Sequence, residues 1–145
     1  MITSSIDIDR SPEHVFAYLD ELERHSEWQA SLMSSRLESG GPVGVGTRAT
    51  DVRRVPGGPR EMTYELTEHQ PPRRSAWRGV NGPVRADGSV TVEPLDDGAR
   101  SRVTVDLDLQ GHGLGMLIAP FARMQARKQL PVDQAKLKEI LERGA

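Results

Sequence analysis

Few residues in this chain are of types that do proton or metal chemistry, and their spacing narrows what they could do. The histidines are His14, His25, His69 and His112. None lies three or four residues from another, so no helix can offer two imidazoles to one metal ion. There is no cysteine, which removes disulfides, thiolate metal sites and thiol nucleophiles together. The serines are numerous, but none stands in a nucleophile-elbow context. Asp106 and Asp108 share the polar side of a strand and read as a solvated face, not as an acid/base pair. No metal and no cofactor are expected. Two candidates remain for proton handling. Tyr64 can donate to a ligand oxygen from inside a pocket, and His112 sits at a strand-to-helix turn where a pocket mouth would lie.

These residues need elements to position them, and the hydrophobic pattern supplies those. Ile2, Ser4, Ile6 and Ile8 occupy one parity and Thr3, Ser5, Asp7 and Asp9 the other, a half-buried first strand. Ser11-Pro12-Glu13 then has the order of a helix start: an N-cap serine, proline in the first helical position and an acid in the first turn. Val15, Phe16, Leu19 and Leu22 form its apolar stripe, and a second short helical turn begins at Glu27-Trp28. Trp28 is a plug between short helix and sheet, a cavity wall, or both. Strands follow over residues 32–39, 47–55, 61–68, 75–80 and 89–95. The glycine run at residues 40–46 reads as a hairpin loop, because no Lys-Ser/Thr pair and no helix follows it. Pro56-Gly57-Gly58-Pro59, Gln70-Pro71-Pro72, Asn81-Gly82-Pro83 and Asp96-Asp97-Gly98 are the other turns.

Parity then selects the inward side chains. Met62, Tyr64 and Leu66 share one side of their strand, against Glu61, Thr63, Glu65 and Thr67. Trp77 and Arg78 are strand neighbours and must oppose each other. The pattern favours Trp77 inward, whereas an inward Arg78 would imply a carboxylate or phosphate on the ligand. Arg48 and Thr50 are further polar candidates for the interior. The last strand alternates most cleanly, with Val103, Val105, Leu107 and Leu109 inward, and one dry face is what an antiparallel sheet needs.

Residues 112–143 form the only long helix. Leu114, Leu117, Ile118, Phe121 and Met124 recur at spacings of three and four, so they are predicted to cover the sheet. Pro120 and Pro131 lie inside it. Beyond Met124 the apolar positions are Leu130, Leu137, Ile140 and Leu141, out of register with the first set, which predicts a kink or restart at Pro131.

At 145 residues the chain has the length of one domain, residues 1–145. An apolar fraction of 36% with 4% aromatics gives a lean core, as a fold enclosing a hollow would have. The longest apolar stretch, residues 116–122, is interrupted by Pro120 and too short to span a bilayer. No N-terminal apolar segment appears, so a soluble, cytoplasmic protein is expected. Net charge is −2 but unevenly spread: residues 48–85 carry eight Arg against four acids, and residues 1–47 three Arg against eight. The Arg-rich middle is a possible anion-binding face for an acidic partner or RNA, but the interleaved acids favour solvated outer faces of strands.

Taken together, the order is strand, two short helices, a run of antiparallel strands and a long last helix. It resembles the START-like helix-grip (SRPBCC) superfamily, polyketide cyclase/dehydrase type. The residues that carry the resemblance are Ser11-Pro12-Glu13-His14-Val15-Phe16-Ala17-Tyr18-Leu19-Asp20, Glu27-Trp28, residues 44–47, Tyr64-Glu65-Leu66-Thr67-Glu68 with Pro71-Pro72-Arg73, and the strand over residues 98–111. The chain departs from the pattern at Ala99-Arg100 and in the two helix prolines. The resemblance implies an α+β helix-grip fold: a curved seven-stranded antiparallel sheet, two short helices and a long C-terminal helix packed across it around an apolar pocket. It also implies a function: binding of a lipid-, polyketide- or quinone-like molecule, or cyclase/aromatase chemistry on one. Mapped on this chain, the pocket is expected to be lined by Trp28, Met62, Tyr64, Trp77, Val105, Leu117, Phe121 and Met124. Tyr64 and His112 would handle protons in the enzymatic reading. Nucleic acid and a membrane span are not expected, and the oligomeric state is open.

Overall fold

The alternation seen in the sequence becomes one antiparallel sheet of seven strands. The computed structural model describes residues 1–38, 40–55 and 57–144. Ser39, expected to end the second strand, and Pro56, in an expected turn, lie outside the described residues. The strands are β1 (Ile2–Ile8), β2 (Leu32–Leu37), β3 (Arg48–Val55), β4 (Gly58–Gln70), β5 (Arg74–Gly79), β6 (Val84–Leu95) and β7 (Arg100–Gly111), ordered β1-β7-β6-β5-β4-β3-β2 across the sheet. The connection from β6 to β7 shows why the turn signal works. Asp96, Asp97 and Gly98 all have positive φ, of 50°, 56° and 91°, within the four-residue loop that joins the paired Leu95 and Arg100; aspartate and glycine are the residues that tolerate such backbone.

Between β1 and β2 lie α1 (Pro12–Leu19) and a 3-10 turn (Leu22–Glu27). Ser11 caps α1 by accepting from His14 N–H at 3.3 Å. The Tyr18 hydroxyl donates to Glu27 at 2.7 Å, and Arg24 lies over the Tyr18 ring at 4.8 Å, so the turn folds back on the helix. His25 is buried in that turn. Its Nε2–H donates to Leu19 O at 2.7 Å, and its ring packs on Trp28 with centroids 5.4 Å apart. Burial pushes the His25 pKa down, and the bond to Leu19 O offsets this only in part.

The core gathers where α1 and the second half of α2 (Gly115–Glu142) meet β1, β6 and β7: Val15, Phe16, Ile8, Val92, Val103, Leu137 and Leu141 are almost wholly shielded. Gln134 is buried among them at 1% exposure. It donates to Ser4 O at 2.9 Å and accepts from the Ser4 hydroxyl at 2.6 Å, which locks the helix to β1.

That lock corrects two expectations about the helix. With Gln134, Leu137 and Leu141 turned to the sheet, the same face carries Gly115 and Ala119, with Ala126 and Leu130 partly buried. Ala119 lies about five whole turns before Leu137, whereas Leu117 is about half a turn out of phase. Leu117, Phe121 and Met124, expected against the sheet, are therefore 74%, 68% and 48% exposed, and Leu114 is 80% exposed. The sheet-facing stripe of the first half is made of small residues instead. A Cβ at Gly115 would collide with the Pro83 carbonyl, so helix and β5–β6 turn touch backbone to backbone. The second correction concerns Pro131. The buried stripe keeps one register from Gly115 to Leu141, and the helix runs unbroken through Pro120 and Pro131, both exposed to solvent.

Two measurements test this packing. Leu137→Ala should lower unfolding free energy by about 2–5 kcal/mol in chemical denaturation, whereas Leu117→Ala should change it by less than about 0.5 kcal/mol; equal costs would contradict the rotation of α2. For His25, the folded pKa lies below the unfolded value of about 6.5, so protonation favours the unfolded chain. Its contribution to stability is complete above about pH 6.5 and is lost as pH falls towards the folded value. Melting temperature should decline on acidification from about pH 7.5 to about pH 5, and more steeply in the wild type than in His25→Gln.

Candidate functional site

Sheet register, which follows from pairing, decides what the concave face offers. Leu66 pairs with Trp77, and Trp77 with Gly88, so these three share a face with the core strands β6 and β7. Trp77 packs against the core cluster, and a Cβ at Gly88 would come within 2.5 Å of its ring. Only glycine lets the indole lie there. Its neighbour Arg78 points outward and donates to Glu65 at 2.9 Å, so Trp77 is the inward residue. Arg48 also reaches Glu65 on the outer face, and Thr50 bonds the outward Thr63 at 2.9 Å. Neither Arg48 nor Thr50 belongs to the interior, because the register of β3 on β4 turns the opposite parity inward.

That opposite parity is Ala49, Asp51 and Arg53. Ala49 pairs with Tyr64, Asp51 with Met62 on one side and with Ser35 on the other. A polar cluster results beneath the 3-10 turn. Asp51 is 6% exposed; its Oδ2 accepts from Arg53 Nη2 at 3.2 Å, while no protein group bonds its Oδ1. Arg53 is held further by Gln29 Oε1 at 2.6 Å and Ser31 Oγ at 3.1 Å. Ser35 Oγ is buried without a hydrogen-bond partner, although it lies near enough to act on the Tyr64 phenol. Burial and then the Asp51 charge push the Tyr64 pKa up, so the phenol keeps its proton and serves as a donor. On the adjoining turn, the Trp28 indole N–H is also buried and unpaired. Unpaired buried polar atoms are uncommon and call for an explanation.

Chemically, the cluster offers a carboxylate acceptor, a hydroxyl and a protonated phenol beside the Arg53 guanidinium. Such a set can orient a polar group and accept or donate a proton. His112 does not join it. It stands exposed in the turn between β7 and α2, its backbone N–H bonded to Pro83 O at 2.8 Å, and no hydrogen bond links it to Tyr64. His69 is taken up by Asp20, 2.8 Å away. Among the described residues no group of three His, Asp or Glu side chains could hold a metal ion.

The eight expected lining residues divide into three sets. Trp28 and Val105 are buried in the core cluster, Met62, Tyr64 and Trp77 are half-buried on the concave face, and Leu117, Phe121 and Met124 are exposed. Helix α2 packs along β1, β7 and β6, so the concave faces of β3, β4 and β5 have little of the helix over them. Two open surface depressions are present, the second bordered by Trp28 and Gln29 of the adjoining turn. One of 460 Å³ sits between Pro12, Arg73 and Gly98, and one of 270 Å³ between Trp28, Ala30 and Val132 on α2. The sequence missed Asp51 and Arg53 because β3 carries charge on both parities, and Ser35 because β2 has no clear alternation. Only the pairing of β3 with Tyr64, through Ala49, marks which side is interior.

Comparison with known proteins now bears on this geometry. The family described as polyketide cyclase / dehydrase and lipid transport matches residues 1–141. An uncharacterized protein of Mycobacterium tuberculosis is 27% identical over 139 residues, 95% of this chain and 94% of that protein. Among solved structures, the Zhui aromatase/cyclase of a Streptomyces species superposes with a TM-score of 0.80 at 14% identity, covering 98% of this chain and 93% of that one. A START superfamily protein of Mycobacterium smegmatis gives 0.79 at 12% identity, covering 99% and 98%. With the family pattern spanning residues 1–141, this protein belongs to the polyketide cyclase / dehydrase and lipid transport family, and its fold is the helix grip seen along nearly the whole length of those two structures.

Proposed function

We propose that the chain binds a small hydrophobic molecule, lipid-, polyketide- or quinone-like, on the concave face of the sheet. The observation that carries this reading is the row Met62, Tyr64 and Trp77: half-buried, inward and barely covered by α2. Apolar surface in a concavity, with a few convergent polar groups at one end, is the ordinary form of a small-molecule site. The exposed Leu117, Phe121 and Met124 add apolar surface on the same helix that borders the concave face.

A second reading, cyclase or aromatase chemistry in the same place, is favoured by the Asp51–Ser35–Tyr64 cluster. A buried carboxylate beside a protonated phenol is a workable acceptor and donor for enolisation and dehydration. The likeness to an aromatase/cyclase fold supports the scaffold for such chemistry.

Binding should raise the melting temperature with the logarithm of ligand excess, corresponding to about 2.7 kcal/mol of stability at a hundredfold excess over Kd. A thermal-shift series over fatty alcohols, aromatic polyketides and quinones with no shift at saturation would remove the binding reading. If the chain is catalytic, Tyr64→Phe should lower turnover by roughly 10²–10⁴-fold while ligand affinity changes little. Unchanged turnover would take Tyr64 out of the mechanism.

A further inference from the structure

Two of the unpaired buried atoms belong to residues that face each other across β2 and β3. Asp51 and Ser35 are register partners, 6% and 9% exposed; Asp51 Oδ1 has no hydrogen-bond partner, and the Ser35 hydroxyl has only the Tyr64 phenol close enough to act on. Their hydrogen-bonding characters differ. Asp51 Oδ1 on an ionised carboxylate only accepts, while the Ser35 hydroxyl can donate or accept. Tyr64, also on this face, supplies a donor.

The partner that completes this set must bring one proton to Asp51 and one lone pair to Ser35 or Tyr64. We infer that the cluster is the polar end of the binding site and selects an apolar molecule ending in a neutral hydroxyl, an alcohol or a phenol, over one ending in a carboxylate. A hydroxyl carries both functions in one atom. A carboxylate carries only acceptors, leaves Oδ1 without a donor and sets two negative charges together in a poorly solvated place. Arg53 would be the natural receptor for an acid, but three of its five N–H donors are already spent, on Asp51, Gln29 and Ser31, and its charge already answers that of Asp51. An ammonium fits no better, since its remaining N–H groups would meet the Arg53 charge. An ether or hydrocarbon of the same shape brings no proton, so Asp51 stays unsatisfied. The inference rests on the reading of the concave face as an apolar binding site.

Three ligands with one ring system separate the possibilities: 2-naphthol, 2-methoxynaphthalene and 2-naphthoate, titrated near neutral pH against the whole chain by calorimetry or tryptophan fluorescence. The naphthol should bind at least about tenfold more tightly than either of the others, and dodecanol should likewise exceed dodecanoate. Asp51→Asn should relieve the penalty on naphthoate, and Ser35→Ala, a milder change, should narrow the gap between naphthol and its methyl ether. If the three bind alike in the wild type, the apolar site stands and hydroxyl selection is overturned. If none binds at saturation, hydroxyl selection and the site beneath it both fall.

Discussion

The rotation of α2 about its own axis is the constraint on which the rest of the structure depends, and one buried glutamine sets it. Gln134 bonds both the carbonyl and the hydroxyl of Ser4, and its amide also lies 3.4 Å from Val103 O. A buried amide left without these partners would cost on the order of 1–3 kcal/mol, so the helix cannot turn Gln134 away cheaply. Leu137 and Leu141 follow it inward. A straight helix then has no freedom in its first half: Gly115 and Ala119 must meet the sheet and Leu117 and Phe121 must not. Small residues there let the helix approach the turn at Pro83 closely. The cost is an apolar stripe left facing solvent, which one would not choose for stability alone.

Charge is distributed by the same logic of faces. Arginines of the basic middle segment pair with acids on the convex side, as Arg48 and Arg78 do with Glu65 and Arg74 with Glu68. Exposed pairs of this kind contribute little each, and they occupy the charges that an acidic partner would need. Arg53 is the exception. It sits inward with Asp51, and a buried ion pair is poor as a stabilising device because desolvation offsets its attraction.

How much of the site was legible follows from these two facts. Tyr64 was readable because its strand alternates; for Trp77 and Arg78 the sequence said only that they oppose, and the pairing of Trp77 with Leu66 and Gly88 chose between them. Asp51 and Arg53 were not, since β3 holds Arg48, Asp51, Arg53 and Arg54 with no dry parity. Inside and outside are distinguished there only by pairing with β4. His112 was placed correctly in the chain, at the turn into α2, but reaching the interior also requires a side-chain direction that the turn does not supply.

The sequence by itself determined the elements and their order. Alternation marked the strands, Ser11-Pro12 marked the start of α1, and Asp97-Gly98 marked a hairpin, because those signals act over a few neighbouring residues. It also determined which way β4 and β7 face, and on β5 it favoured Trp77 over Arg78 without deciding between them. Only the tertiary structure decided how α2 is rotated, and with it which of two candidate stripes touches the sheet. Large apolar residues at helical spacing say that a face is oily, not that it is the buried one. The choice was made by Gln134 and Ser4, about 130 positions apart in the chain, where no local pattern can reach.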